Sequence, residues 1–239
     1  MQAIRTLAIA AALLAGAASA QAALVNRGGG MIYDTTQNLT WLADMNYART
    51  GGYYNSGLMT WAAADEWANN LVYGGFSDWR LPTLNSGDTS CSHIFSPGDG
   101  FPRQYHGSNC TGGEMSHLFV ADLGNKANES VLNPNGDTPE QIANLALFGN
   151  VQYGYWSGLE YAPKTVWAWV FYTYTGRQAN GVKDDKLFAV AVRPGDVAAS
   201  VPEPQRPGDV AASVPEPQTL ALVLLAFGAT VVARKRRPA

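Results

Sequence analysis

The chain has 239 residues, 46% hydrophobic and 11% aromatic, with 16 Lys and Arg against 19 Asp and Glu and a formal net charge of −3. That aromatic content belongs to a chain that buries a core and excludes a disordered polymer. The acidic balance makes nucleic acid and sulphated glycan poor partners, because a polyanion is repelled unless a basic patch dominates locally.

At the N-terminus, Arg5 precedes the apolar run Leu7 to Ala18. The small residues Ala18-Ser19-Ala20 follow, with Ala20-Gln21-Ala22 as a second cleavage option. This is the pattern of a secretory signal peptide, assigned to residues 1–22 and set aside from the fold. A globular domain is expected over 24–192. It opens on a strand, a turn at Asp34 to Asn38 and a second strand, with Ile32, Leu39, Trp41 and Leu42 as core residues.

Thr60 is placed to cap a helix running to about Tyr73. Trp61, Ala64, Ala68 and Leu71 share one face at spacings of 3, 4 and 3, with Trp67 beside them, and Gly74-Gly75 offers an ending. The element Ser77-Asp-Trp-Arg-Leu-Pro-Thr83 comes next. Leu84 to Gly113 then reads as a long loop holding both cysteines and two of the three histidines.

A second short helix is expected from Glu114 to Leu123, where Met115, Leu118, Phe119 and Asp122 pack one side. Asn133 to Asp137 is a turn, and Pro139 to Phe148 a further short helix. The last third is rich in β patterns: Tyr153 to Gly158, Thr165 to Thr175 and Lys186 to Arg193, with Gly176 and Gly181 flanking a hairpin loop. Apolar and aromatic residues on both faces of Val166 to Tyr174 mark that strand as central.

Residues 193–218 consist of Arg-Pro-Gly-Asp-Val-Ala-Ala-Ser-Val-Pro-Glu-Pro-Gln written twice, Arg193 to Gln205 and Arg206 to Gln218. Six prolines in 26 residues favour an extended, semi-rigid spacer. The second copy ends in Val214, Pro215, Glu216 and Pro217. An apolar run from Thr219 to Ala233 follows, and then Arg234, Lys235, Arg236 and Arg237. A helix of 15 residues rises about 22 Å, short of the roughly 20 residues a hydrocarbon core needs. Four cations behind it hold that end in the cytoplasm.

This tripartite tail, residues 214–237, resembles the PEP-CTERM sorting signal. The resemblance implies export through the Sec machinery, a transient inner-membrane anchor, and processing by an exosortase. It also implies a final place at the cell surface or in the extracellular matrix, among exopolysaccharide and biofilm. An ordinary single-pass tail anchor is the alternative. Without signal and tail, 11 basic residues face all 19 acids, a net charge near −8.

Within the domain, the Trp41 strand, the Thr60-Trp61 helix, Asp78-Trp-Arg-Leu-Pro-Thr83, Glu114-Met-Ser-His-Leu-Phe119, Tyr155-Trp-Ser-Gly158 and Ala189-Val-Ala-Val-Arg193 occur in that order. Together they resemble the Lcl C-terminal domain family. The resemblance implies an α+β, C-type-lectin-like fold, two short helices packed on a mostly antiparallel sheet, and a non-enzymatic adhesion or glycan-binding module. The insertion at 84–113 departs from the family pattern. An enzyme acting on surface polysaccharide, or a structural matrix protein with no discrete ligand, are the alternatives.

Cys91 and Cys110 in an exported chain suit a disulfide; with His93 and His106 they also form a candidate zinc tetrad. His117 reads as a helix histidine rather than a catalytic base, and Glu114 as a helix N-terminal charge rather than an acid catalyst. No catalytic residue and no cofactor is assigned. A structural calcium would draw on Asn133, Asn135 and Asp137, on Asp184 and Asp185, and on Glu160. Most aromatics, among them Tyr153, Tyr155, Trp167, Trp169, Tyr172 and Tyr174, fit a core. Tyr53, Tyr54 and Tyr161, in loops containing Gly or Pro, are the candidates for an exposed ligand platform.

Overall fold

The computed structural model describes residues 24–197. The signal peptide expected over 1–22, the sorting signal at 214–237 and the spacer beyond 197 lie outside the described residues. Two antiparallel sheets and a few short helices make an α+β domain. No helix among the described residues is long and apolar enough to cross a membrane.

The first sheet contains β1 (Leu24–Gly28), β2 (Met31–Asp34), β3 (Leu39–Leu42) and β9 (Val192–Pro194), in the order β1-β2-β3-β9. It therefore brings the two ends of the domain side by side, with Thr40 opposite Arg193. The second contains β4 (His93–Phe95), β5 (Gln104–Ser108), β6 (Tyr155–Glu160), β7 (Trp167–Tyr172) and β8 (Arg177–Val182), in the order β4-β5-β8-β7-β6. The remaining elements are α1 (Tyr47–Thr50), α2 (Trp61–Asn69), α3 (Glu114–Ser116) and α4 (Pro139–Leu145).

Strand β7 is interior to its sheet, as its two apolar faces require. Trp169 and Phe171 enter one core with Ile32, Trp41, Phe119 and Tyr155. Ala168 and Val170 enter the other with Leu42, Trp67, Leu71, Trp79 and Trp156. Met115 to Leu123 packs into the first core with Leu145 of α4 against it, and the Ala64-Trp67-Ala68 stripe of α2 packs into the second with Ala48 of α1. Indole donors cross between elements and fix them: Trp156 Nε1 donates to the Met59 carbonyl at 2.9 Å and Trp61 Nε1 to the Ser157 carbonyl at 2.8 Å.

Four boundaries differ from the sequence reading. Helix α2 stops at Asn69, and Gly74-Gly75, at φ +62° and +84°, form the centre of a tight turn in which Tyr73 and Phe76 exchange both backbone hydrogen bonds. Two successive positive φ values suit that turn better than a helix end. The segment expected as a hairpin loop after Gly176 is β8, paired residue for residue with β7 from Trp167↔Val182 to Tyr172↔Arg177. The second helix is α3 for one turn and then widens over His117–Asp122, where Leu123 N–H reaches back five residues to the Leu118 carbonyl. The spacer does not begin at 193. Residues through 197 are part of the domain: Gly195 N–H donates to the Asn38 carbonyl, and Val197 is buried in the second core.

Candidate functional site

The Trp-Arg-Leu-Pro-Thr element is a structural clamp. Arg80 sends two hydrogen bonds into the Glu114 carboxylate, and Thr83 N–H adds a third at 2.8 Å. Burial pushes the Glu114 carboxyl up, but Arg80 and Thr83 outweigh it and hold the group below its usual value. Next to it, Arg193 donates to both Asp78 oxygens and lies over the Phe76 ring at 4.0 Å. Each carboxylate is spent on holding chain together.

The insertion expected as a loop folds as the β4-β5 hairpin, and β5 extends the second sheet through Gly107↔Gln178 and Ser108↔Arg177. Cys91 and Cys110 form a disulfide with a sequence separation of 19, worth about 3 kcal/mol by chain entropy. This is the disulfide expected from the sequence, and it leaves the rival zinc tetrad without thiolates. Its two sulfurs bond each other, and His93 and His106 stack at 5.7 Å across the hairpin. Asp88 lies beside the bridge, but its oxygens accept from the N–H groups of Ser90, Thr111 and Gly112 and from the Ser90 hydroxyl. Despite burial, these donors hold its carboxyl below the usual range. What the sequence did not single out is the apolar rim of this hairpin: Ile94, Phe95 and Phe101 all stand exposed.

Two of the three calcium candidates, Asp137 with its turn and Glu160, meet lysines instead. Lys126 Nζ donates to the Asn135 carbonyl and to Asp137, and Lys183 Nζ pairs with Glu160 while lying 4.2 Å over the Trp61 ring. An ammonium group thus satisfies the oxygens of both places. Asn133 Oδ1 accepts from Asn135 N–H and closes the turn itself.

His117 has both ring nitrogens directed at the protein. Nδ1 lies 3.3 Å from the Thr111 carbonyl and Nε2 3.7 Å from Asp122 Oδ1. Burial lifts the Asp122 carboxyl to about 6, countered by His117 and reinforced by Asp34 and Glu140. Asp34 has both oxygens engaged, Oδ1 by Thr36 and Gln37 N–H and Oδ2 by the Gln37 amide.

The tyrosines divide into two surfaces. Tyr53 is 50% exposed and packs on Tyr47 at 6.1 Å and on Trp67 at 6.4 Å, while Tyr54 is half-buried against the second core. Tyr161, expected beside them as an exposed platform, is corrected: only 6% exposed, it packs edge-on against Trp169 at 5.5 Å. The second surface was read as core. Tyr153 and Tyr174 are 47% and 51% exposed and meet edge to face at 6.4 Å. Tyr174 also meets Tyr172 at 5.7 Å, and Tyr153 stands on Phe188 at 5.3 Å. Their backbones are tied by Thr173, whose N–H donates to the Tyr153 carbonyl and whose hydroxyl donates to the Gln152 carbonyl. The signal for this surface was the alternation past the end of β7, where Tyr172 and Tyr174 flank buried Thr173.

No protein-family model matches the chain, and no curated protein or solved structure matches it.

Proposed function

We propose that this is an exported, non-enzymatic module that adheres to glycan at the cell surface or in the extracellular matrix. The Sec machinery carries it across the membrane behind the leader at 1–22. An exosortase reads Val214 to Pro217, with the apolar run and the Arg234 to Arg237 cluster as a transient inner-membrane anchor. Exopolysaccharide is its partner. The fold reading is a C-type-lectin-like domain of the Lcl C-terminal kind, supported by the closure of β9 on β3 next to the N-terminal hairpin.

One observation carries the functional reading. Three tyrosines stand half-exposed, Tyr53, Tyr153 and Tyr174, and each is braced by another ring rather than left loose. Rigid tyrosines offer apolar faces for sugar rings and hydroxyls for their edges, at little entropic cost. The test is co-sedimentation of the exported protein, after signal removal, with exopolysaccharide from the producing cells, with calcium and with chelator. Retention in both buffers is expected, and loss on replacing the exposed tyrosines with alanine. Absence from the pellet in both buffers removes the adhesion reading.

The enzymatic alternative draws on Asp122, whose carboxyl burial lifts to about 6, in the direction an acid catalyst requires. Acid–base hydrolysis of a glycosidic bond takes two carboxyl groups facing substrate. Asp122 is buried, and its neighbour Asp34 is fully engaged by its own turn. Reducing-end release from the same exopolysaccharide distinguishes the two readings.

A further inference from the structure

We propose that β4, the outer strand of the insertion hairpin, is a self-association edge. A second copy of this chain adds its own β4 antiparallel, with a two-fold axis at Ile94. Ile94 exchanges both backbone hydrogen bonds with its twin, and the two five-stranded sheets run on as one. This association is independent of glycan binding.

The phase of the ladder leaves that edge open. β4 is the end strand of its sheet, and its Ile94 is paired with Tyr105 of β5. Tyr105 N–H donates to the Ser86 carbonyl at 2.8 Å, and the Tyr105 carbonyl accepts from the Gln178 amide at 3.0 Å. Both groups point away from β4, as they do at every second pair of an antiparallel ladder, so Ile94 turns its own N–H and carbonyl outward. Among the described residues nothing covers this strand: His93, Ile94 and Phe95 are all exposed, Ile94 at 50% and Phe95 at 48%. Edge strands are commonly blunted by lysine or proline, and His-Ile-Phe carries neither. The disulfide, the Ser92 N–H bond to the Ser108 carbonyl at 2.9 Å and the Gly107↔Gln178 pairing hold the hairpin on the sheet. The edge is therefore ordered before it meets a partner.

Three features select a second copy as the occupant. A residue whose N–H and carbonyl both face outward is its own complement under a two-fold axis, which makes Ile94 with its twin the hydrogen-bonded pair. The same axis sets His93 opposite the partner's Phe95. Positions flanking a hydrogen-bonded pair bring side chains closest, and an aromatic pair there stabilises the contact. It continues the row in which His93 stacks on His106 at 5.7 Å. The third feature is charge. With 19 acids against 11 bases between signal and tail, two copies repel over most of their surface. From Cys91 to Cys110 there is one acid, Asp99, matched by Arg103, so repulsion is least at this hairpin.

The test is sedimentation velocity of the exported protein, signal removed and its apolar tail held in detergent, over a concentration series. A monomer–dimer equilibrium is expected near roughly 100 µM, since so short an edge falls below the ~1,200 Å² of a standard interface. It should tighten as salt screens the like charges. Ile94→Lys should weaken dimerisation about tenfold or more by placing like charges face to face. Ile94→Pro should do the same, because it deletes the outward N–H and leaves the bonds to β5 in place. Ile142→Lys, at a similarly exposed isoleucine on α4, should change nothing, and melting curves show that each variant folds. Ile94→Cys should yield a disulfide-linked dimer under mild oxidation, because Cα atoms of a hydrogen-bonded pair lie about 5.5 Å apart. Ile142→Cys should not. A chain that stays monomeric at every concentration, its edge left to some other partner, overturns the proposal. So does a dimer indifferent to both Ile94 substitutions, or equal cross-linking through the two introduced cysteines.

Discussion

Arg80 and Glu114, 34 residues apart, are joined by two parallel hydrogen bonds of 2.7 and 2.6 Å, so the Leu-Pro-Thr turn and the start of α3 are one rigid unit. Glu114→Ala leaves the half-buried guanidinium and the Thr83 N–H without their acceptor. The expected cost is about 2 to 3 kcal/mol, read as a lowered urea midpoint. Arg80→Lys should recover only part of it, because a single ammonium cannot reproduce the fork. Glu114, Asp78 and Asp88 are all held below ordinary carboxylate values. Their contribution is present above those ordinary values and is lost as pH falls through the lowered ones, so unfolding should set in on the acid side of about pH 4. A stability unchanged down to pH 2 would contradict this linkage.

Asp122 works in the opposite direction. Its carboxyl is raised to about 6, so the folded chain binds its proton more tightly than the unfolded chain does. This contribution is therefore greatest below the unfolded value and declines as pH rises toward 6. Asp122→Asn removes a buried charge at neutral pH. It should raise stability at pH 7.5 by about 1 to 2 kcal/mol, and make no gain at pH 4.5. Chemical denaturation at the two pH values checks it; equal effects at both sink the assignment.

Much of the domain was legible because local and tertiary preferences agree. Thr60 caps α2 by accepting from Ala63 N–H, the apolar stripe behind it is buried, and β7 is interior as its two apolar faces demanded. Strand β8, Arg-Gln-Ala-Asn-Gly-Val, has no apolar alternation and is a strand because β7 offers it a ladder; buried Gln178 then ties it to the Asn85 and Tyr105 carbonyls. The insertion hairpin is likewise a product of tertiary contacts: its disulfide was legible in the two cysteines, but the Asp88 cradle and the pairing with β8 are announced by no local pattern. Tyr161 misled because a loop position does not fix exposure: its ring turns inward onto Trp169. Tyr153 and Tyr174 misled in reverse, since β propensity reads the same for a ring facing a core and a ring facing water.

The edge of the domain gives a third prediction. Arg193 is held by Asp78, Thr40 donates to the Gly195 carbonyl at 2.7 Å, Arg27 pairs with Asp196, and Val197 is buried. A chain ending at Val192 should lose about 3 to 5 kcal/mol against one ending at Val197, from one buried valine and several hydrogen bonds. Removing either thirteen-residue copy yields the same sequence, with Arg-Pro-Gly-Asp-Val still following Val192. That variant should melt with the parent. A large drop for it would mean that the second copy also contributes to the fold.

Lys126 supplies the last. Its ammonium meets the Asn135 carbonyl and an Asp137 carboxylate that is 1% exposed, filling the place where a cation was expected. One carboxylate and a few carbonyls fall short of the six to eight oxygens calcium takes, and a resident lysine does not have to be dehydrated and bound from solution. Calcium and chelator should therefore leave the melting temperature of the parent chain unchanged. Lys126→Met strands a buried carboxylate and should cost about 2 to 3 kcal/mol, since removing one partner of such a pair costs more than the pair is worth. Millimolar calcium should not restore it. A melting temperature that rises with calcium in the parent would show the metal displacing the ammonium, and would return Asn133, Asn135 and Asp137 to the list of ligands.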